Sequence, residues 1–186
     1  MLLLFRVFFL ISLFSIFFVG CSVKQPSLLV TKEKVLTLEK LLLALTPTID
    51  AKEAKDLAKV SIDYSYELSK KYRTVNNPWF QNFLVNIRLK KRGLCHEWTE
   101  DLLRFLISRK YQTIEFHTVS ANIGNLNEHN ALSVSAKGRG IKQSILLDAW
   151  RNSGILYFNI INKDLKYKWK ERFNLYGILP PKSGKK

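Results

Sequence analysis

The sequence has only two cysteines and few acidic residues, and both shortages narrow what the protein can be. Two cysteines in 186 residues cannot build a disulfide framework, and a chain of this length can bury a hydrophobic core without one. Asp and Glu number 15 against 30 Lys and Arg, which gives a net charge of +15. The chain also lacks a glycine-rich phosphate loop of the Walker or dinucleotide-binding type. A hydrophobic content of 47% excludes an intrinsically disordered chain.

The first twenty residues differ from the rest, with no acidic residue and six of the twelve phenylalanines. A single cation, Arg6, precedes an apolar run over residues 7–19, which is shorter than the roughly 20 residues that span a bilayer. This length is typical of a signal-peptide core, and Gly20-Cys21 resembles the site at which bacterial lipoproteins are cleaved and lipidated. The sequence therefore predicts a lipoprotein signal peptide over residues 1–20 and lipidation of Cys21. A retained N-terminal anchor helix is the alternative.

After this segment, the pattern predicts a tether over residues 21–31, a single domain over residues 32–180 and a loose basic tail over residues 181–186. Apolar residues at helical spacing predict four helices, over residues 32–45, 51–71, 79–89 and 95–109. Alternating patterns predict strands over residues 113–121, 129–136, 143–150 and 155–161. Short connections favour antiparallel pairing, so the predicted fold is α+β, with a Cys-bearing central helix packed on a mainly antiparallel sheet.

Three residues at the ends of predicted elements have the chemistry of a nucleophilic site. Cys95 begins the fourth helix, where unpaired N–H groups and the positive end of the helix dipole favour a thiolate and an oxyanion. His129 begins a strand on the side of Ala131 and Ser133, small residues that we expect to face the Cys-bearing helix. Asp148 ends the next long strand, where an antiparallel sheet can bring it beside His129. Along the sequence, the three residues therefore follow the order of a nucleophile, a base and an orienting carboxylate.

The motifs around these residues resemble a known family. They are Gly-Leu-Cys at residues 93–95, Glu-His-Asn-Ala at residues 128–131 and Leu-Asp-Ala-Trp at residues 147–150. In order and context they look like the catalytic blocks of the bacterial transglutaminase-like group within the papain-like cysteine protease superfamily. The resemblance covers residues 75–160 and implies a papain-like core, with Cys95 as nucleophile, His129 as base and Asp148 as orienting residue. It implies amide or peptide hydrolysis, or acyl transfer, through an acyl-enzyme, with a protein or peptide-like substrate and no cofactor.

The sequence departs from the family in the stretch before the nucleophile. Papain-like enzymes often carry a glutamine there as an oxyanion donor, whereas this chain has Ile-Arg-Leu-Lys at residues 87–90. The backbone N–H of Cys95 is therefore one expected oxyanion donor. Asn86 is the candidate side-chain donor, with Asn82 and Gln81 as further candidates.

Neighbours of the nucleophile in the sequence are expected to line the site. His96 diverges from Cys95 on a helix, so we interpret it as a lining residue and not as the base. Trp98 and Trp150 are expected to shield the site from water. Glu97 is expected to point away from the thiol. No paired cysteines and no second zinc-binding histidine accompany His96, and no metal site is predicted.

Two further features have more than one interpretation. His117 lies in a strand among apolar residues and is interpreted as structural. The basic stretch over residues 163–172 contains Tyr167 and Trp169, a pattern typical of nucleic-acid binding. In an exported chain, attraction to anionic lipids or envelope polymers fits better, and no nucleic-acid partner is predicted.

The predicted function is that of a thiol enzyme anchored to a membrane in the bacterial cell envelope. The alternative is a non-catalytic envelope binding or scaffold module with the same fold and a basic face that binds anions.

Overall fold

The computed structural model describes residues 27–179, so the predicted signal peptide, the predicted lipidation at Cys21 and the predicted tail lie outside the described residues. Four helices come first in this part of the chain: α1 (Leu28–Leu43), α2 (Ala51–Lys71), α3 (Pro78–Asn86) and α4 (Cys95–Ser108). Five strands follow: β1 (Ile114–Ala121), β2 (His129–Ala136), β3 (Ser144–Asp148), β4 (Tyr157–Ile160) and β5 (Lys170–Glu171). Short 3₁₀ turns at Ile141–Gln143 and Ile161–Lys163 flank β3 and β4.

Side-chain caps determine where several helices begin. Asp50 accepts the N–H groups of Lys52 and Glu53 at 2.8 and 3.0 Å, which satisfies donors in the first turn of α2. Asn77 caps α3 in the same way, with a proline at the first helical position. α1 begins four residues earlier than predicted, because the side chain of Ser27 caps it.

The sheet is antiparallel throughout, with the strand order β4-β3-β2-β1-β5. The predicted α+β class, with helices first and an antiparallel sheet behind them, is confirmed. β1 and β2 pair from Ile114 with Ala136 to Ala121 with His129, which places His129 at one end of the ladder. β5 was not predicted, because a strand of two residues has no periodic pattern.

The two faces of the sheet pack against different hydrophobic clusters. Leu132 and Val134 of β2 belong to the main core, which they share with α4. Ala131 belongs to a smaller cluster on the opposite face, together with Val119 and Leu146. The expectation that the small residues of β2 face the Cys-bearing helix is therefore wrong. The larger side chains face it instead, since they bury more apolar area against the helix.

Candidate active site

Glu97 caps the N-terminus of α4 and leaves the backbone N–H of Cys95 free. One carboxylate oxygen of Glu97 accepts the N–H groups of Gly93 and Leu94 at 2.7 and 2.9 Å. Within residues 27–179, no acceptor binds the N–H of Cys95. The carboxylate of Glu97 is directed at these N–H groups, because a glutamate at the third helical position can reach back to the N–H groups that precede the helix. The cap leaves the first N–H of the helix available to a ligand beside the thiol.

The Cys95 side chain lies against the start of β2, and 9% of the residue is exposed. Its Sγ is 3.7 Å from the carbonyl oxygen of Glu128 and 3.9 Å from Nδ2 of Asn130. The hydroxyl of Thr99 lies 2.9 Å from the carbonyl oxygens of both Cys95 and Asn130. These contacts fix the first turn of α4 to the strand that begins with His129.

His129 and Asp148 form a buried pair, each 1% exposed. Nε2 of His129 is 2.7 Å from Oδ2 of Asp148. The other ring nitrogen, Nδ1, is buried and makes no hydrogen bond of normal geometry within the described residues, although Cys95 is close enough to interact with the ring. Burial alone would lower the pKa of His129, but the charge of Asp148, its hydrogen bond and the neighbouring Cys95 raise this pKa to about 9. At neutral pH the ring is therefore protonated, with Nδ1–H as its unshared donor.

Arg151 holds Asp148 from the side opposite His129. Its backbone N–H donates to Oδ1 of Asp148 at 3.0 Å, and its Nε donates to Oδ2 at 3.0 Å. The two Nη atoms of Arg151 donate to the two oxygens of Asp164 at 3.1 and 2.7 Å. Burial raises the pKa of Asp148, but His129 and Arg151 together hold it below its usual range. The carboxylate that orients the imidazole is thus kept ionised and fixed in position.

Three aromatic rings surround the imidazole of His129. Its centroid lies 4.6 Å from that of Trp150, 4.8 Å from that of Tyr167 and 5.3 Å from that of Trp169. Trp169 also donates its indole N–H to Asp164 at 2.8 Å. The aromatic residues of the basic stretch therefore pack inward on His129, while the lysines that alternate with them, Lys166, Lys168 and Lys170, are exposed. Packing around the imidazole accounts for the aromatic residues of this stretch.

The candidates for a side-chain oxyanion donor lie at different places on α3. Asn86, the first candidate, is exposed at the end of the helix, and no hydrogen bond of its side chain joins it to the site. Asn82 accepts the indole N–H of Trp150 at 3.0 Å and so contacts a ring that covers the imidazole. Gln81 is buried and binds the backbone of Val75 and Arg92. Its amide supports the turn before α4 and is not directed at the thiol.

The remaining predicted residues divide between the rim and the core. His96 is exposed, whereas Trp150 packs directly on the imidazole. Trp98 is buried against Tyr72 and donates its indole N–H to the carbonyl of Gly93 at 3.1 Å, so it supports the turn before the nucleophile.

His117, the remaining histidine of the sequence, has its hydrogen-bond partners elsewhere in the sheet. Nε2 of His117 is 2.8 Å from the hydroxyl of Ser135, and Nδ1 is 3.1 Å from a carboxylate oxygen of Glu171. Both nitrogens are therefore used in contacts between strands of the sheet.

Sequence reasoning missed four residues near the thiol and the imidazole. Asn130 directly follows His129 and was visible in its motif, and Asp164 is one of two acids in the basic stretch over residues 163–172. Arg151 follows the Leu-Asp-Ala-Trp motif, but nothing in the sequence links it to Asp164. Tyr176 has no sequence signal, yet its hydroxyl is buried without a hydrogen bond of normal geometry, and Cys95 contributes to raising its pKa.

Within residues 27–179, no group of three or more His, Cys, Asp or Glu side chains could hold a metal ion. No helix in this range is long and apolar enough to cross a membrane.

Comparisons of the chain with protein-family models, with curated proteins and with solved structures found no match.

Proposed function

We propose that the protein is a thiol enzyme that uses Cys95, His129 and Asp148 to hydrolyse amide or peptide bonds, or to transfer acyl groups, through an acyl-enzyme. One observation carries the proposal. His129 is held by Asp148 at 2.7 Å through Nε2, which leaves Nδ1 unshared beside the thiol of Cys95. A buried histidine in a purely structural role generally has partners for both nitrogens, as His117 does.

The proposed reaction begins with a thiolate at Cys95 and an imidazolium at His129. Sγ attacks the carbonyl carbon of the substrate, a C–S bond forms, and the carbonyl π electrons move to oxygen. Nδ1–H of His129 then gives its proton to the leaving amine as the C–N bond breaks, which yields a thioester. Neutral His129 next takes a proton from water or from an acceptor amine that attacks the thioester. Cleavage of the C–S bond restores the thiolate and the imidazolium.

Donors for the oxyanion are available at the start of α4. The N–H of Cys95 is free because Glu97 binds the two N–H groups before it. Nδ2 of Asn130 lies 3.9 Å from Sγ and is a second candidate donor.

We also propose that the enzyme works in the bacterial cell envelope. The motif at Gly20-Cys21 and the apolar run before it favour export and attachment by a lipid to a membrane of the bacterial cell envelope. A tethered enzyme meets protein or peptide-like substrates of the envelope, and anionic lipids or polymers attract its net positive charge.

Site-resolved alkylation of the full chain tests the catalytic proposal. The protein is treated with iodoacetamide at pH 6.5, and modification of Cys95 is followed by peptide mass spectrometry, which separates it from Cys21. We expect rapid modification in the wild type and a rate about tenfold lower in His129→Ala, because the imidazolium no longer stabilises the thiolate. His96→Ala is the matched control, since His96 is exposed beside the same cysteine, and its rate should equal that of the wild type.

The second readout is a covalent intermediate. Incubation with a peptide thioester should add the acyl mass to Cys95, and Cys95→Ser should show none. Equal alkylation rates in the wild type and His129→Ala, together with no acyl adduct, would favour the alternative of a non-catalytic envelope binding or scaffold module.

A further inference from the structure

An apolar face lies exposed on α3 and on the turn that follows it. A helix of nine residues in a folded domain ordinarily buries a full apolar stripe, but α3 buries only Gln81. Large apolar side chains that are 47–73% exposed form what we call the α3 apolar face: Trp79, Phe80, Phe83, Ile87 and Leu89. A contiguous apolar surface of this kind marks a site of interaction.

The segment of chain that carries this face is rich in positive charge. Residues 68–96 contain seven Lys and Arg and no Asp or Glu. Three of these cations pair with acids from elsewhere in the chain: Lys70, Lys71 and Arg92. The ion pairs within residues 27–179 do not include the other four: Arg73, Arg88, Lys90 and Lys91. The ammonium of Lys90 donates to the backbone carbonyl of Arg73, which does not neutralise its charge.

We propose that the α3 apolar face, with the unpaired cations around it, binds the surface of an anionic lipid bilayer. Aromatic and aliphatic side chains on one side of a helix, next to Lys and Arg, are the features of helices that lie in the membrane interface. Tryptophan favours this depth because its ring is apolar and its N–H is polar. Residues 68–96 include no acidic side chain that would repel the negative headgroups, which favours a bilayer over a basic protein partner.

The position of the face agrees with the proposed lipid on Cys21. Lys34 in α1 donates to the carbonyl of Leu156 at 3.1 Å, and Trp79 packs on Trp150 at 5.2 Å. Lys34, in the second turn of α1, and Trp79, at the start of α3, therefore both contact the loop over residues 149–156. Six residues of extended chain span at most about 20 Å, so a lipid on Cys21 keeps Ser27, and with it this end of the domain, near the bilayer.

The proposed membrane contact has a consequence for the candidate site. This consequence rests on the proposed function. Trp79 contacts Trp150, and Trp150 covers the imidazole of His129. Binding of α3 to the bilayer would hold the thiol close to the membrane, with only a few layers of side chains between them. Substrates would then be envelope proteins or peptides whose cleavable bond lies close to the lipid surface.

Fluorescence quenching by brominated lipids tests the contact with the full chain. Protein is added to vesicles of phosphatidylcholine, alone or in equal parts with phosphatidylglycerol, and the vesicle-bound fraction is isolated by flotation. With brominated lipids in the anionic vesicles, we expect tryptophan emission to fall by roughly a quarter, because Trp79 is one of four tryptophans. Trp79→Phe should remove this fall.

Charge variants distinguish binding through α3 from general electrostatic attraction of the protein to the vesicles. The triple variant Arg88→Gln, Lys90→Gln, Lys91→Gln should lose most of the quenching and of its salt dependence. The matched control is Lys137→Gln, Arg139→Gln, Lys142→Gln, which removes the same charge from exposed positions in another loop and should behave as the wild type.

Hydrogen exchange supplies a measurement that needs no variant. Amides of residues 79–92 should exchange more slowly on anionic vesicles than on neutral ones. No Trp79-dependent quenching, an equal loss in both triple variants or unchanged exchange would overturn the proposal. So would protection of the same residues that depends on protein concentration without lipid, which would assign the face to a second copy of the chain. Cys95→Ser should leave every result unchanged, so a failed catalytic proposal is distinguishable from a failed membrane contact.

Discussion

Nε of Arg151 lies 3.0 Å from Oδ2 of Asp148, the same oxygen that is 2.7 Å from Nε2 of His129. The far end of the Arg151 guanidinium binds both oxygens of Asp164. Arg151 therefore balances the negative charge of two buried carboxylates. Its own side chain is 7% exposed. Loss of that cation leaves Asp164 without its charge partner and leaves Asp148 with His129 alone.

We expect Arg151→Met to lower the free energy of unfolding by about 3 kcal/mol, because it removes a buried cation, which leaves Asp164 unpaired and Asp148 with His129 as its remaining ion-pair partner. Urea denaturation at pH 7 measures the change. Arg104→Met is the control, since it breaks an exposed pair with Glu100 and should cost less than about 1 kcal/mol. Similar losses in the two variants would contradict the role assigned to Arg151.

The protonation of His129 gives a prediction for pH. Its pKa is raised to about 9, so NMR of labelled histidine side chains should show one ring that titrates near pH 9. In Asp148→Asn the midpoint should fall, because the charge of Asp148 is what raises it most. Since the pKa in the folded state exceeds that in the unfolded chain, the stabilisation by the charged ring is fully present below about pH 6.5 and is lost as pH rises through about 9.

Much of the fold could be predicted because the elements have clear periodic patterns and caps. α2 and α4 begin where predicted, α2 because Asp50 caps it through its side chain. The antiparallel sheet followed from short turns between alternating segments. The papain-like core implied by the family resemblance stays a prediction.

The candidate site could be predicted only in part. Cys95, His129 and Asp148 stand at ends of elements, and the structure brings these ends together. The contacts of Arg151 with Asp148 and Asp164 could not be predicted, because Arg151 and Asp164 lie in irregular loops whose paths follow no period. The parity of β2 was assigned wrongly, because both faces of the strand are buried and the pattern alone does not show which face meets the helix.

The turn before the nucleophile has little room for a side chain. Gly93 has a φ of +133°, and a Cβ there would lie 2.7 Å from Cγ and Nε2 of Gln81. We expect Gly93→Ala to lower the free energy of unfolding by about 3 kcal/mol, from backbone strain and displacement of Gln81. Gly138→Ala also has a positive φ but meets nothing within 4 Å, so it should cost about 1 kcal/mol. Equal costs would show that Gln81 moves freely.

The buried hydroxyl of Tyr176 should affect stability and chemistry in opposite directions. Within the described residues it makes no hydrogen bond of normal geometry, although Thr99 and Cys95 are both close enough to influence it, and burial raises its pKa, so it remains a neutral donor. We expect Tyr176→Phe to raise the free energy of unfolding by about 1 kcal/mol, because an unsatisfied buried hydroxyl is removed. Affinity for a peptide aldehyde, which adds to Cys95 as an oxyanion, should fall about tenfold, while alkylation by iodoacetamide should not change. Tyr66→Phe, on the distant helix α2, should alter neither quantity. A loss of stability in Tyr176→Phe, or an unchanged aldehyde affinity, would show that the hydroxyl has a structural partner and does not serve the thiol.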